Sequence, residues 1–506
     1  HLDERKLLEH MPKLETKSHA DTVFKSTNRS EEIAKNDGMV SEISKALEAG
    51  YGITPDTQVD GAAYRLESLD PTLNITTFGE NDFTIYKDLE RVPVNQTVQK
   101  YTVYYNHGRT GHQLFQPEIA KLSVNTPNAR QKTVNVKFVV DTKGASFAMQ
   151  WANTTVDTQT LLEISGVNTI AKAIEYATFY GDSDLATQDG EGYEFDGISK
   201  LMDQDNVVDL HGGALTPGKL NEAATIIGKR GYGKATDAYM PVGVKADFIN
   251  QHLGSQRILQ PNPADHGMQV GFDITRFISA NGDINLHGST IMDLDLVLDT
   301  ESTPDVNAGA APTVQAKQVA GQGGAFLTDD KKDENGRTIL SKEVGTELQY
   351  RVVAVGAHDS LPSDIATATP TAATDGVTLT ITLSPLVTDL PHYVAIYRKS
   401  DVPGDEDFRL IDRVPMSKFQ NGTLTYTDVN DTIPGTADVF ILDRRPENIR
   451  YLEFAPIMKF PLAVTTTATN FAMLWYGALQ VIYPKRIVKL HNVLYASDAE
   501  SLFDLA

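Results

Sequence analysis

Residues 228–234, Gly-Lys-Arg-Gly-Tyr-Gly-Lys, are the stretch most similar to a phosphate-binding motif. Their spacing satisfies the glycine and lysine positions of a phosphate-binding loop, which needs a strand before it and a helix after it. Here the pattern predicts a helix before it and a strand after it. Ala235 also stands where Ser or Thr would bind Mg²⁺. We therefore interpret this stretch as a helix C-terminal turn, with glycine in the left-handed conformation and lysine near the helix dipole.

Several histidines are candidate metal ligands. His107 and His112 flank two glycines in a predicted hairpin tip, but no third ligand follows at a recognisable spacing. His211 and His287 stand beside glycines, and we predict turns at both. These patterns favour solvent-facing loop histidines over a metal centre.

The acidic stretch 329–336, Asp-Asp-Lys-Lys-Asp-Glu-Asn-Gly, resembles a calcium loop only in its charge, because lysine falls where a ligand oxygen is needed. A solvated hairpin that ends in Asn335-Gly336 explains it better. Neither a Gly-x-Ser-x-Gly elbow nor a His-Glu-x-x-His motif occurs. The sequence therefore predicts no catalytic, cofactor-binding or metal-binding residues and no enzymatic activity.

Composition restricts the class of protein further. The 506 residues, 41% of them hydrophobic, suffice for two to four packed domains. With no cysteine there is neither a disulfide nor a thiolate metal site, so packing and association must supply strength. The net charge of -22 argues against general nucleic-acid binding. No apolar run reaches the ~20 residues that span a bilayer, and no secretory signal is visible, although His1 implies that a preceding piece was lost.

The elements that surround these residues suggest an α+β host domain. Residues 1–48 are ion-rich, and we expect them to be helical or disordered. Strands at 100–105 and 131–140, joined by a polar tip, predict an extended hairpin. The clearest helix runs from Thr155 or Asp157 to Gly181, with one inward apolar stripe. The stripe residues are Leu161, Ile164, Val167, Ile170, Ala171, Ile174, Ala177 and Thr178.

Further elements follow this helix. We predict helices at 193–202 and 216–228, the second with Thr216 as its cap and Pro217 at the first helical position. A strand is expected at 238–244 and a short helix at 246–253. After an interruption the host resumes at 449–460 and in two strands, 471–483 and 487–494. The host core is therefore expected to be discontinuous in sequence.

The interruption, residues 303–442, carries the strand signals of a small β-sandwich. Residues 349–355 and 360–363 look like the last two strands of a fibronectin type III or immunoglobulin-like domain, yet here they come first. The segments that normally open such a sandwich follow, at 377–383, 392–398, 408–414 and 424–428. Tyr350, Tyr393, Tyr397 and Tyr426 lie on these strands, and we expect them in the core. A permuted insertion is feasible because domain termini often lie close together.

Five blocks together resemble one known family. They are Gly-Tyr-Gly-Ile-Thr-Pro-Asp at 50–56, Ala-Thr-Asp-Ala-Tyr-Met-Pro-Val-Gly-Val at 235–244, Leu-His-Gly-Ser-Thr-Ile-Met at 286–292, Thr-Ala-Asp-Val-Phe at 436–440 and Leu-Trp-Tyr-Gly-Ala-Leu at 474–479. In these blocks the chain resembles the major capsid proteins of large lytic myophages of Gram-positive bacteria. The resemblance covers about 50–495 and implies the Hong Kong 97 type of capsid fold.

That resemblance implies a domain plan. The plan is a charged segment at 1–48, an N-terminal arm at 49–82, an extended hairpin loop at 83–148, a peripheral domain with a spine helix at 149–190, axial and peripheral parts at 191–302, the inserted sandwich at 303–442, a return to the host at 443–496 and a tail at 497–506. It also implies that a phage protease cuts around 45–49, so that mature particles begin between Ala46 and Gly50.

The implied function is self-assembly. Copies would form pentamers and hexamers of an icosahedral shell around double-stranded DNA, without sequence-specific binding and without a membrane. The implied partners are other copies, the portal, the maturation protease and scaffold or decoration proteins. The implied location is the virion, with assembly in the host cytoplasm. A projecting insert also predicts that deleting 303–442 leaves shell formation intact.

Three alternatives remain from the sequence. A surface adhesin would use the sandwich for binding, but it predicts an anchor or tandem repeats. A hydrolase with an accessory sandwich would need a catalytic pair. A phage tail-tube or sheath protein would have difficulty accommodating the long helix followed by a discontinuous α+β layer.

Overall fold

The computed structural model describes residues 82–107, 115, 118, 126–151, 158–185, 187–188, 191–253, 273–293, 298, 311–332, 336, 338–356, 359–384, 391–420, 422–463 and 467–494. The predicted arm, the hairpin tip with His112, the cleavage region and the tail lie outside these residues. No helix among the described residues is both long and apolar enough to cross a membrane.

The described α-helices are few and the strands many. The α-helices are α1 (Ile85–Asp88), α2 (Phe147–Trp151), α3 (Thr158–Tyr180), α4 (Ile198–Leu201), α5 (Pro217–Gly231) and α6 (Val242–Leu253). The strands are β1 (Arg91–Pro93), β2 (Val98–Asn106), β3 (Asn128–Asn135), β4 (Lys137–Ser146), β5 (Thr187–Gln188), β6 (Glu191–Gly192), β7 (Val207–Gly213), β8 (Asp237–Pro241), β9 (Arg276–Ser279), β10 (Gly282–Ser289), β11 (Thr313–Val319), β12 (Lys331–Lys332), β13 (Thr338–Leu340), β14 (Leu348–Val355), β15 (Ala366–Ala368), β16 (Gly376–Thr382), β17 (Tyr393–Lys399), β18 (Phe408–Pro415), β19 (Thr423–Asp428), β20 (Thr436–Leu442), β21 (Ile449–Pro461), β22 (Ala468–Val481) and β23 (Ile487–Leu494).

Two mixed sheets form the host domain, by which we mean the described residues outside 311–430. One has the strand order β1-β21-β22-β4 within the described residues, with β1 parallel to β21 and the other neighbours antiparallel. The other has the order β7-β23-β20-β8-β10-β9. Because β20 to β23 come after the inserted residues, each sheet combines strands from both sides of the insertion. The predicted discontinuity of the host core is confirmed.

The long helix α3 packs on the first sheet. Its Ile170 and Ile174 share a core with Trp475 and Met473 of β22. Gly166 allows the close approach, since a Cβ at this position would lie 2.8 Å from Met473 Cγ. The helix itself is confirmed, but the predicted inward stripe is wrong at two positions. Ile164 and Val167 are 49% and 37% exposed.

The predicted hairpin exists as an antiparallel pair, β2 with β3. The strand predicted at 131–140 is two strands, however. The chain turns at Val136, whose backbone N–H donates to Thr97 O at 2.8 Å and whose side chain is buried. β4 then leaves the hairpin and pairs with β22 in the host sheet.

The inserted residues form two antiparallel sheets, in the orders β11-β16-β19 and β15-β14-β17-β18. Apolar residues of both sheets share one core, among them Val352, Leu379 and Ile396. The predicted strands at 349–355, 377–383, 392–398, 408–414 and 424–428 are confirmed. Residues 360–363 form a loop rather than a strand, in which Ser360 and Ser363 accept hydrogen bonds from the backbone of β14.

The insert boundary predicted at 442 is wrong in the structure. β20 lies between β23 and β8 in the six-stranded host sheet, and its last four residues, 439–442, are fully buried there. Pairing with strands distant in sequence decides this placement, and the local pattern of β20 does not show it. The sandwich ends with β19, and Asn430 is the last residue that contacts its core ion cluster.

Two smaller expectations also differ from the structure. Only Ile198–Leu201 of the predicted helix 193–202 is helical, because Phe195 is buried and Gly197 N–H donates to Gly181 O at the end of α3. The helix predicted at 246 begins at Val242, directly after β8. The Thr216 cap is confirmed, since its side chain accepts from Lys219 N.

Candidate interaction surfaces

The glycine-rich stretch 228–234 lies at the end of α5 and packs against the turn at 484–486. The left-handed residue is Tyr232, at φ 51°, and not a glycine as predicted. Gly231 and Gly233 are required for close packing instead, because a Cβ on either would lie 2.8 Å from the Arg486 side chain. Arg486 Nε donates to Gly231 O at 3.0 Å. The glycines thus serve an internal contact, and no strand precedes them to form a phosphate loop.

The described histidines lie in separate places. His107 is exposed at the end of β2. His211 is inside β7 and not in a turn as predicted; it adopts φ 51°, and its Nδ1 is 3.2 Å from Asp209 Oδ2. His287 is inside β10 and not in a turn as predicted; its Nε2 is 2.9 Å from Asp237 Oδ1 and its ring stacks on Tyr239. Over the described part of the chain, no three His, Cys, Asp or Glu side chains are grouped in a way that would hold a metal ion.

The acidic stretch 329–336 belongs to a small hairpin, β12 with β13. Lys331 and Lys332 form its first strand, and Gly336 adopts φ 82° in the connection. Of the four strand tyrosines, Tyr350 is fully buried as predicted, whereas Tyr393, Tyr397 and Tyr426 are half-buried. The positions of these residues favour a structural role for them.

A charged cluster lies inside the sandwich around Arg398, which is completely buried. Its guanidinium donates to Asp428 Oδ2 at 2.9 Å, to Asp401 Oδ2 at 2.6 Å and to Glu343 Oε1 at 2.8 Å. Asn430 Oδ1 accepts at 2.7 Å. The cluster joins β17 to β19 and to the loop that precedes β14, so that one cation holds both sheets together.

One of these carboxyls has a raised pKa. Burial and the neighbouring charge of Asp401, partly opposed by Arg398, raise the pKa of Glu343 to about 9. The raised pKa favours the protonated form of Glu343 within the cluster. Glu343 Oε2 also accepts from Leu327 N and from Asn430 Nδ2, both at 2.7 Å. Both oxygens of Glu343 are thus hydrogen-bonded within the folded sandwich.

We expect the sandwich to lose stability as pH rises from about 4.5 to about 9. The folded state keeps the Glu343 proton through this interval, while the unfolded chain releases it near the ordinary pKa of 4.5. The loss is at most about 1.4 kcal/mol per pH unit. Hydrogen exchange of β14 and β17 in the full chain, from pH 5 to pH 9 and corrected for intrinsic rates, measures it. Glu343→Gln, which mimics the neutral acid, should flatten the slope.

The exposed Glu347 offers a control for this prediction. Glu347→Gln should leave the slope unchanged. A Glu343→Gln chain whose sandwich still weakens with pH as the unmodified chain does would show that another group releases the proton.

The insert is packed against the host and not only tethered to it. Arg413 at the end of β18 donates from Nη2 to Tyr180 O, the last residue of α3, at 2.6 Å. A cation at a helix C-terminus is favoured by the helix dipole. The His392 ring also meets the Tyr193 ring edge-on at 5.5 Å. These contacts fix the direction in which the insert leaves the host.

A cleft of about 350 Å³ lies between α3, β18 and the six-stranded sheet. Asp438 in its wall is 2.8 Å from Lys489 Nζ and 2.5 Å from His491 Nδ1. Although burial opposes ionisation, these two groups lower the pKa of Asp438 to about 2. This carboxylate is held in an internal ion pair, which makes it a poor general base.

Residues 82–93 are clamped to the host where the chain enters it. Glu175 of α3 accepts from Thr84 N and Thr84 Oγ1, both at 2.9 Å. Asp88 accepts from the Tyr239 hydroxyl at 2.9 Å and is 3.5 Å from Arg444 Nη1. β1 then pairs with β21. The root of the N-terminal segment is therefore fixed by partly buried polar contacts.

The face of the four-stranded sheet opposite α3 is apolar and exposed, and we call it the outer apolar face. Cross-strand neighbours share a face: Leu474 pairs with Val140 and Met458, and Tyr476 pairs with Phe138. The strand partners on this face are Phe138 (57% exposed), Val140 (53%), Met458 (42%), Phe460 (56%), Leu474 and Tyr476. Contiguous apolar surface of this kind marks interaction sites.

The hairpin β2–β3 is exposed along much of its length. Tyr104 is 63% exposed and Val98 is 47% exposed. An isolated two-stranded ribbon is marginally stable in water. Its root is held by Tyr101, whose hydroxyl donates to Val481 O at 3.1 Å. Beyond that root, the ribbon offers surface to a partner.

Sequence reasoning missed the buried charges. Arg398 ends an apolar strand, and a cation at such a position was a usable signal for a buried ion cluster. Glu175 falls on the helix face of Ala171 and Thr178, where an apolar residue is expected, and that mismatch was also readable. Arg413 gave no comparable signal, because its partner is a backbone carbonyl of a distant helix.

No protein-family model matches the chain. A relative in Enterococcus phage phiEF24C is 42% identical over 458 residues, which cover 90% of this chain and 95% of that protein. The major capsid proteins of Staphylococcus phages S25-3 and K are each 41% identical over 464 residues, 91% of this chain and 96% of theirs. Solved structures with some similarity include the capsid of a native GTA particle (10% identity, TM-score 0.41, 87% of this chain and 100% of that chain) and the holo-SrpI encapsulin of Synechococcus elongatus (8%, 0.38, 85% and 97%). The sequence relatives show the family to which the chain belongs. Structural similarities with TM-scores this low add nothing to that conclusion.

Proposed function

Because the chain belongs to the family of major capsid proteins of phages that infect Gram-positive bacteria, we propose that its copies form pentamers and hexamers of a closed icosahedral shell around double-stranded DNA. Its role is structural, and its place is the virion. The structural observation that carries the proposal is the outer apolar face, because a soluble monomer would leave this surface in water.

The assembly contacts are heterologous, meaning that one patch of a copy meets a different patch of the next. The outer apolar face is one such patch, and the exposed hairpin β2–β3 is the element that reaches a neighbour. In the Hong Kong 97-type fold that family membership implies, α3 is the spine helix of the peripheral domain. The six-stranded sheet with α5 and α6 then corresponds to the axial part.

The insert is a permuted immunoglobulin-like sandwich on the outer surface of the shell. Its strand order supports this assignment. In immunoglobulin-like domains, strands A, B and E lie together, while C, F and G share the other sheet. β11, β16 and β19 take the first three positions, and β17, β14 and β15 take the others. In this assignment the two final strands, β14 and β15, precede strand B, which is β16.

Other partners follow from the same role. They are the portal, a maturation protease and scaffold or decoration proteins, with assembly in the host cytoplasm. The protease removes residues up to about 45–49 of the charged N-terminal segment. The net charge of -22 supports containment of DNA without adhesion to it, since a phosphate-binding surface would need clustered cations.

We expect the double substitution Phe138→Asp and Met458→Asp to reduce shell formation at least tenfold while leaving the monomer folded. Both side chains are about half exposed, so the host core does not depend on them. A buried unpaired carboxylate in an interface is strongly unfavourable. Negative-stain microscopy and sedimentation of the recombinant chain measure the fraction in shells or capsomers.

Leu361→Asp is the matched control, because Leu361 is 45% exposed but lies on the insert. It should assemble normally. If the unmodified chain, the double variant and the Leu361→Asp variant assemble equally, the outer apolar face is not part of the interface. If the unmodified chain forms helical tubes instead of shells, a tail-tube or sheath protein is favoured. If the unmodified chain stays monomeric, the capsid proposal itself is contradicted.

A further inference from the structure

Tyr232 presents an aromatic ring to solvent from a strained backbone position. Its side chain is 88% exposed, the highest value among the large hydrophobic residues of the described chain. Its backbone is left-handed, at φ 51° and ψ 33°, directly after α5. A residue with a Cβ meets a steric cost in this conformation that glycine avoids, and glycine is the usual residue at such a helix end. Strain of this kind is concentrated at functional sites.

A second exposed aromatic residue lies beside this position. The turn at 484–486 packs on the end of α5, where Arg486 Nε donates to Gly231 O at 3.0 Å. The Arg486 guanidinium carbon lies 4.3 Å from the centre of the Tyr483 ring, and Tyr483 is 38% exposed. Residues 229–234 and 483–486 therefore form one surface, which we call the basic aromatic patch.

The basic aromatic patch carries charge of the opposite sign to the chain as a whole. Lys229, Lys234 and Lys485 are exposed, and none of them forms an ion pair with another described residue. Three uncompensated positive charges therefore stand together on a chain whose net charge is -22. The nearby arginines are compensated: Arg230 is paired with Asp205, and Arg445 and Arg486 share the buried Asp443.

We infer that the basic aromatic patch binds an acidic surface on a second copy of this chain, which rests on the proposed self-assembly. A neighbouring copy offers an excess of carboxylates, since the net charge is -22. Tyrosine and arginine are enriched at protein interfaces. A DNA duplex would use the lysines but not the exposed rings, because its phosphates are contacted by cationic and hydrogen-bonding groups.

The sign of the charge also determines the kind of contact. A two-fold axis through the basic aromatic patch would place lysines against lysines, which is repulsive. The patch therefore meets a different, acidic patch on the neighbour. Such a heterologous contact closes copies into a ring when the rotation between them allows it. The patch shares no residue with the outer apolar face, so the two contacts can be tested separately.

Tyr232→Gly separates assembly from folding. Glycine adopts the left-handed conformation without the steric cost, so the variant should unfold at about the same temperature as the unmodified chain or higher. We expect at least fivefold less protein in shells or capsomers, measured by sedimentation and negative-stain microscopy. A Tyr232→Gly chain that loses stability together with assembly would show that the ring serves the fold, and that result would overturn the inference.

A charge reversal tests the lysines. Lys229→Glu with Lys234→Glu should reduce assembly at least tenfold. The matched control is Lys317→Glu with Lys342→Glu, because these two lysines are exposed on the insert and the change in net charge is the same. The control should assemble normally. Equal losses in both double variants would mean that total charge matters and the patch does not.

Photocrosslinking identifies the partner. Tyr232→p-benzoylphenylalanine is assembled from a mixture of ¹⁵N-labelled and unlabelled chains, and we expect crosslinks from residue 232 to acidic peptides that join the two labels. Crosslinks confined to one chain, or formed with copurified nucleic acid, would overturn the inference. An unmodified chain that stays monomeric would contradict the proposed function as well. Normal shells from both Tyr232→Gly and the Lys229 and Lys234 variant would overturn this inference alone.

Discussion

Arg398→Met unfolds the inserted sandwich and leaves both host sheets folded. The substitution removes the one cation that three carboxyl groups and an amide share in a fully buried site. Breaking a buried pair from one side costs about 3–5 kcal/mol, because the remaining charge has no partner. Asp401 and Asp428 would both be left without this partner. The resulting loss is a large fraction of the free energy of unfolding of a domain this size.

Hydrogen-exchange mass spectrometry of the full chain measures this effect region by region. Protection should fall in β14, β17 and β19 and persist in β20 to β23. Lys399→Met is the matched control, because Lys399 is the next residue of β17 and its ion pair with Glu406 is solvent-exposed. Such surface pairs are worth about 0–1 kcal/mol.

A rescue variant separates charge from packing. Adding Asp401→Asn and Asp428→Asn to Arg398→Met removes the stranded charges, so part of the protection should return. If Arg398→Met keeps full protection, or if Lys399→Met weakens the sandwich equally, the cluster is not what holds the two sheets.

Two deletions that differ by twelve residues should have opposite outcomes. Removing 311–430 and joining the ends by a flexible linker of about ten residues takes out the sandwich alone, and we expect soluble chains that still assemble. Removing 311–442 also removes β20 from the middle of the six-stranded sheet. Its four fully buried residues are worth about 2 kcal/mol each, a sum close to the whole stability of a domain.

Solubility, thermal unfolding and negative-stain microscopy distinguish the two deletions. The longer one should be insoluble or aggregated. It ends at the same residue as the deletion of 303–442, which the sequence predicted would leave shell formation intact. If both chains fold and assemble alike, β20 is dispensable to the host. If both fail, the sandwich itself is needed for folding.

Strands and caps were predictable from the sequence because their signals are local. Alternating apolar residues predicted β14, β16 and β17 almost to the residue, and Thr216 with Pro217 predicted the start of α5. Membership of a sheet is not local. β20 reads like the insert strands before it, but its partners are β8 and β23, which are distant in sequence and on opposite sides of it.

The surfaces were harder to predict than the elements. A helical stripe shows which residues are apolar, not how far a neighbour extends along the helix, so Ile164 looked no different from Ile170. The outer apolar face likewise requires the register of β4, β22 and β21, which brings Phe138, Tyr476 and Met458 to one side. The family resemblance predicted the function. The residue patterns alone excluded only alternative functions.

The position of β20 has a mechanical meaning. A force applied to the insert is transmitted to the host through β20, which follows β19 after a connection of seven residues. β20 is bonded to a neighbour on each side, so withdrawing it must shear two ladders together, whereas an edge strand would peel away one bond at a time. Cargo fused to the insert would therefore be anchored in the centre of the sheet. Under load, the sandwich should unfold before β20 detaches from the host sheet.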